Sequence, residues 1–301
     1  MTDTRYKIAI VGGGAVGLTY ASFLASVADV LVKTRRPEQA ELIKTQGVRI
    51  FIDDKEEVIT GIAASSDMST LANYDAIILT VKSYDTEQIA QELNKVIGSD
   101  TVVLTIQNGI QAFGVLHDII GNPDRVFAGV TYIGASRVDD RTIKLGNNRR
   151  TVIDSKAAKL VDVFQRTRFG VESSPDIMQT VWDKMVLNTG QNALSALTNL
   201  SLGEMLKSPY CLDIASHLLA EFEQVANAVG VTFDYSLMDK LKDNWTMSNF
   251  YPSMWQDLHK GNKTEIDAIN GAISKLGQDH NLATPYNDMI TSLIKTLEDH
   301  V

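Results

Sequence analysis

The chain has 301 residues, 44% of them hydrophobic and 22% charged, and a formal net charge of −9. That length buries a large core and suits two domains, and the composition is that of an ordinary soluble globular protein. The acidic balance argues against nucleic acid as a partner, no run nears the ~20 apolar residues of a membrane helix, and a single cysteine excludes an intrachain disulfide.

Cys211 as the sole thiol fits a reducing compartment, and the apolar run after Lys7 is too short for a signal peptide. A cytoplasmic location is therefore expected. Ile8, Ala9, Ile10 and Val11 read as a buried parallel strand that stops at glycine. Gly12, Gly13, Gly14, Ala15, Val16 and Gly17 then fit G-x-G-x-x-G, and helical spacing continues from Leu18 to Ala25. Strand, glycine loop and helix in that order bind the pyrophosphate of a dinucleotide on the free N–H groups of the helix start.

Val30-Leu31-Val32 reads as a second strand and ends in Lys33-Thr34-Arg35-Arg36-Pro37. An acid about 20 residues past the glycines would hold the 2′-hydroxyl of NAD. The segment offers Arg35 and Arg36 instead, whose guanidinium forks match a 2′-phosphate, so NADPH/NADP is expected over NADH. The plainer alternative is a solvated basic turn.

Pro37 opens a helix through Ile43; Val48–Ile52 and Glu57–Ile59 alternate as strands around a turn at Asp53-Asp54. Further strands are expected at Asp75–Val81, Thr101–Ile106 and Val126–Gly134, with a helix over Glu87–Ile97. The alternation argues for a doubly wound parallel sheet. Lys82 and Asn108 each fall just past the C-terminal end of a strand, where such sheets bind ligands. A surface lysine and an Asn-Gly turn are the alternatives.

Ser173-Ser174-Pro175 is linker-like, and helical periodicity dominates beyond it. The expected organisation is a Rossmann α/β domain over 1–173 and an all-helical domain over 174–301. Val181–Leu197 is apolar around most of its circumference, yet Lys184, Asn188 and Asn192 stand at i, i+4 and i+8. Buried polar groups without partners are costly, so this stripe should face a wet cleft or a ligand; plain solvent is the alternative. Cys211 and His217 read as structural, and the five histidines show no metal-ligand spacing. Thr264 and Asp267 form a capping box that starts a helix at Glu265, which accounts for that carboxylate without any catalytic role.

These segments together resemble the ketopantoate reductase (2-dehydropantoate 2-reductase) family. The matching residues are Gly12 to Gly17, Val81-Lys82-Ser83, Gln107-Asn108-Gly109, and Trp182-Asp183-Lys184 with Asn188 and Asn192. Ser253-Met254 through Thr264-Glu265-Ile266-Asp267, with Ile269-Asn270-Gly271, completes the set and is its most specific part. The resemblance implies a Rossmann domain and a helical domain with the active site between them. It implies Lys184 as the catalytic lysine and Glu265 as the functional glutamate on the cofactor side. Asn108, Asn188, Asn192 and Ser253 would bind substrate, with Asn108 and Ala135 also at the cofactor that Lys82, by its place past a strand end, is expected to face. One further asparagine of some members falls near Leu202 here.

Reducing a 2-keto acid places negative charge on the carbonyl oxygen, which an ammonium stabilises and then protonates. No His-Arg pair is readable for that task, which leaves Lys184. The expectation is NADPH-dependent reduction of 2-dehydropantoate to D-pantoate, a step toward pantothenate and coenzyme A. A same-family D-2-hydroxyacid dehydrogenase of the D-mandelate kind, acting on branched or aromatic 2-keto acids, is the near alternative. A non-catalytic NADPH-sensing protein is the distant one. Partners are a small-molecule 2-keto acid, no nucleic acid and no membrane, with a homodimer left open.

Overall fold

A computed structural model describes residues 5–246 and 249–300 of the chain. It divides into two compact units, one of Met1–Gln107 and Ala112–Thr180, the other of Asn108–Gln111 and Val181–Val301.

In the first unit, β1 (Lys7–Val11), α1 (Ala15–Leu24), β2 (Asp29–Lys33) and α2 (Pro37–Gln46) follow in the expected order. Next come β3 (Val48–Ile52), β4 (Lys55–Ile59), β5 (Ala63–Ser65), β6 (Ala76–Leu79), α3 (Thr86–Asn94) and β7 (Val102–Thr105). The chain continues through α4 (Gln111–Ile120), β8 (Val126–Thr131), β9 (Ala135–Arg137), β10 (Thr142–Leu145), β11 (Thr151–Asp154), α5 (Ala158–Gln165) and β12 (Glu172–Ser174).

Six of these strands run parallel in the order β5-β2-β1-β6-β7-β8. Counted among themselves this is 3-2-1-4-5-6, the dinucleotide-binding order, whose reversal lies between β1 and β6. Ile8 pairs with Val30 on one side and Ala76 on the other. Ile8 and Ile10 point into one apolar cluster while Ala9 and Val11 point into a second, so β1 is buried on both faces. That is why its sequence is a continuous apolar run instead of an alternation.

Two features depart from a plain parallel sheet. Strand β11 adds antiparallel to β8, and β12 then pairs with β11 in parallel. Ser173 and Ser174, expected as linker, are thus the outermost strand, and the division between units falls inside the next helix, between Thr180 and Val181. Two serines have low strand propensity; here the pairing of Ile153 with Ser173 overrides it. The β3–β4 hairpin belongs to a separate sheet, ordered β4-β3-β10-β9. Asp53 and Asp54 turn it with φ of 50° and 60°, the two-residue geometry whose twist matches its strands.

Beyond β12 the chain is helical: α6 (Ile177–Thr198), α7 (Leu202–Lys207), α8 (Pro209–Ala228), α9 (Leu237–Trp245), α10 (Ser253–His259), α11 (Asn270–Asp279) and α12 (Pro285–Glu298). Trp182, Phe222 and Trp245 anchor its core, with the Trp182 and Phe222 rings 5.5 Å apart. Buried Cys211 packs in the same cluster, and His217 stacks on Tyr286 at 4.3 Å.

A buried polar network fixes α6 against its neighbours. The Glu221 carboxylate accepts from the Tyr286 and Asn287 backbone N–H groups at 2.8 and 2.9 Å, satisfying the otherwise open start of α12. Asn287 Oδ1 accepts from Asn270 Nδ2 at 2.9 Å, and that same amide donates to the Thr189 carbonyl of α6 at 3.1 Å.

Candidate active site

The glycine loop leaves β1 at the reversal of strand order. Gly12 has φ +126°, and a Cβ there would stand 2.5 Å from Thr80 Oγ1, so only glycine fits. A Cβ on Gly17 would overlap the Gly12 carbonyl oxygen, which is how closely α1 packs on the loop. Thr80, just after β6, donates its hydroxyl toward the Val11 and Gly12 carbonyls, both at 3.1 Å. Gln39 of α2 is buried and donates to the Gly13 carbonyl at 2.7 Å and the Asp140 carbonyl at 2.8 Å.

The opposite side of the loop is open. A Cβ built on Gly14 meets nothing within 4 Å. Gly14 is the N-cap of α1, Ala15 and Val16 form its first turn with no acid among them, and no side chain caps that end. The N–H groups of this turn and the room at Gly14 fit a pyrophosphate.

Arg35 and Arg36 lie in the turn between β2 and α2, with Arg36 at the N-cap of α2. Each already has an acidic partner: Arg35 meets Asp85 at 2.7 Å, and Arg36 meets Asp140. Lys82 precedes the short 3-10 turn Ser83–Asp85 after β6, and Ala135 opens β9 in the smaller sheet, opposite Leu145.

In the second unit, three predicted residues meet. Lys184 Nζ donates to Asn108 Oδ1 at 2.6 Å, and Asn108 Nδ2 donates to Glu265 Oε2 at 3.0 Å. Lys184 is half-buried, and desolvation lowers its ammonium pKa from 10.5 to about 8, with the Glu265 carboxylate pulling the other way. Asn108 relays between a cation and an anion, so its amide orientation follows from its partners.

Glu265 does not open a helix with a capping box. It precedes a single 3-10 turn, Ile266–Ala268, and α11 begins only at Asn270. The Thr264 hydroxyl accepts from the Ile266 N–H at 3.2 Å, and Asp267 pairs with Lys295 at 2.5 Å. Asp267 therefore faces another helix, and the Glu265 carboxylate, 7% exposed, is left for Asn108. The Thr-x-x-Asp spacing alone could not separate this turn from a helix start.

Asn188 and Asn192 continue the Lys184 stripe one and two turns along α6, and both are buried. Asn188 Nδ2 has no hydrogen-bond partner among the described residues. A buried orphan donor is expensive, and such an atom beside an ionisable lysine is what a polar ligand would satisfy. Ser253 is the exposed first residue of α10 and makes no side-chain hydrogen bond among the described residues.

Thr80 and Gln39 shape the loop, Asp85 and Asp140 pair with the two arginines, and none of the four stood out in the sequence. Only Gln39 carried a signal, a long polar side chain next to Ala40 on the inward side of α2. No group of three or more His, Cys, Asp or Glu able to hold a metal occurs among the described residues, and none of their helices is long and apolar enough to cross a membrane.

Comparison with known proteins finds relatives along nearly the whole chain. Residues 8–157 match the family model described as ketopantoate reductase PanE/ApbA, and residues 176–298 match its C-terminal companion. A 2-dehydropantoate 2-reductase of Pyrococcus horikoshii is 29% identical, with 97% of each chain covered. The crystal structure of a PanE/ApbA family ketopantoate reductase from Ralstonia eutropha is 28% identical with a TM-score of 0.91, covering 98% of this chain and 99% of that one. D-mandelate dehydrogenase with NADH and anilino(oxo)acetate is 27% identical with a TM-score of 0.88, covering 98% of both chains. The chain belongs to the ketopantoate reductase family of nicotinamide-dependent oxidoreductases.

Proposed function

We propose that the protein reduces 2-dehydropantoate to D-pantoate with NADPH, using Lys184 as the general acid. The observation that carries this reading is the linked series Lys184–Asn108–Glu265, next to the orphaned amide of Asn188. A nicotinamide cofactor supplies the hydride when bound; Gly12 to Gly17 would hold its pyrophosphate and Arg35 and Arg36 its 2′-phosphate, with Lys82, Asn108 and Ala135 along its length.

The residues of the chain do the rest. Lys184 carries its proton at neutral pH, since its pKa of about 8 lies above 7, yet gives it up far more readily than an exposed lysine. Its charge stabilises a developing alkoxide before the proton moves from Nζ to that oxygen. Asn108 fixes the direction of Nζ, and Glu265 keeps the ammonium form populated. Asn188 Nδ2, Asn192 and Ser253 would hold the carboxylate and hydroxyl of the substrate without adding charge.

A second reading is reduction of other branched or aromatic 2-keto acids. The likeness to D-mandelate dehydrogenase favours it. A panel of 2-dehydropantoate, 2-ketoisovalerate and phenylglyoxylate with both cofactors separates the two. Highest kcat/KM on 2-dehydropantoate supports the first reading, and highest on phenylglyoxylate the second. For the cofactor, Arg35→Asp should lower the NADPH/NADH ratio of kcat/KM by roughly 10- to 150-fold, the loss of one charge-assisted contact.

A further inference from the structure

We propose that Asp85 is a specificity-determining residue, a counter-charge that narrows the preference for NADPH over NADH by competing for Arg35. The inference rests on the assignment of Arg35 to the ribose 2′ position. At the end of β2, where dinucleotide folds choose their cofactor, the segment itself contains no acid. The fold brings one there from the 3-10 turn that follows β6, 50 residues further along the chain. Arg35 Nη2 donates to Asp85 Oδ2 at 2.7 Å. Arg36 is matched in the same way by Asp140, which sits beside the glycine loop through Gln39. The arginine pair therefore presents little net positive charge.

This alters what each cofactor meets. A 2′-phosphate carries close to two negative charges at neutral pH. To reach Arg35 it must displace the Asp85 carboxylate or lie beside it, and both weaken the contact. A 2′-hydroxyl has no such conflict. It can donate to Asp85, which then does the work of the acid that NAD-binding members of this fold carry at the end of β2. The side chain of Arg35 is 80% exposed and that of Asp85 is 23% exposed, so the carboxylate is the better fixed of the two. Asp85 also holds the N-cap position of α3 but makes no side-chain cap bond, so its carboxylate is not committed to the helix.

The test uses the full chain with Asp85→Asn and Asp85→Ser, both good N-cap residues that leave α3 its start. Dissociation constants for NADPH and NADH are read from cofactor fluorescence without substrate, and kcat and KM from turnover of 2-dehydropantoate. In both variants NADPH should bind more tightly and NADH more weakly, raising the ratio of affinities about tenfold, equivalent to ~1.4 kcal/mol. In an Arg35→Ala background the same substitutions should change the ratio by less than about threefold, because the pair they break is already gone. Unchanged ratios in both Asp85 variants, with Arg35→Ala still depressing NADPH binding, overturn the role of Asp85 and leave the 2′-phosphate assignment standing. If Arg35→Ala also leaves the ratio unchanged, the assignment fails and the proposal with it.

Discussion

Lys184 Nζ lies 2.6 Å from Asn108 Oδ1, which ties an ionisable group of α6 to a loop residue 76 positions earlier. Asn108 accepts from the lysine and donates to Glu265, so one amide links the ammonium to the Glu265 carboxylate.

With a Lys184 pKa of about 8, reduction needs the ammonium and the reverse oxidation needs the free amine. The kcat/KM for reduction should be level below pH 8 and fall tenfold per pH unit well above it. Oxidation of the hydroxy acid should rise over the same interval. A pH profile of both directions checks this, and parallel profiles would count against a single shared group.

Glu265→Gln removes the charge that opposes desolvation of Lys184. The lysine should then titrate lower, moving the alkaline limb of the reduction profile down by up to roughly one pH unit, within the usual range for a nearby charge. Asn108 retains an amide partner in this variant, so a changed profile with an intact fold separates charge from packing.

Burial of Lys184 also costs stability. Its folded pKa lies below its value in the unfolded chain, so folding disfavours the charged form. The penalty is complete below about pH 8 and disappears as the pH rises toward 10.5. Lys184→Met should therefore raise Tm at pH 7, by the equivalent of about 1–3 kcal/mol, and show little gain near pH 10.5. Denaturation of wild type and variant at the two pH values measures it. A gain that grows with pH would reverse the sign of the argument.

The glycine loop separates fold from ligand. Gly17→Ala drives a methyl group into the Gly12 carbonyl and should destabilise by about 1–3 kcal/mol. Gly14→Ala meets open space, so it should hold most of its Tm yet bind NADPH much more weakly, because the methyl group occupies the face assigned to the pyrophosphate. Thermal melts paired with cofactor titrations distinguish the two.

What was legible in the sequence was local. The run Ile8–Val11, the glycines after it, and the polar stripe of Lys184, Asn188 and Asn192 each declare themselves through periodicity and spacing. Lys184, Asn108 and Glu265 could be named from a family resemblance, but their linkage could not, since Asn108 and Glu265 are 157 residues apart. The helix expected at Glu265 failed because a single 3-10 turn and a helix start share the same polar signals. The linker expected at Ser173–Ser174 proved to be a strand, because its stability comes from β11, not from its own residues. Asp85 was invisible for the same reason: its meaning arises only when the turn after β6 is placed beside Arg35.

The most direct measurement is NADPH oxidation in the presence of 2-dehydropantoate, by the wild-type chain and by Lys184→Ala. The wild type should turn over, and the variant should lose at least ~100-fold in kcat, the scale of a missing general acid, while still binding NADPH. A variant that keeps most of its kcat would contradict the assignment of Lys184.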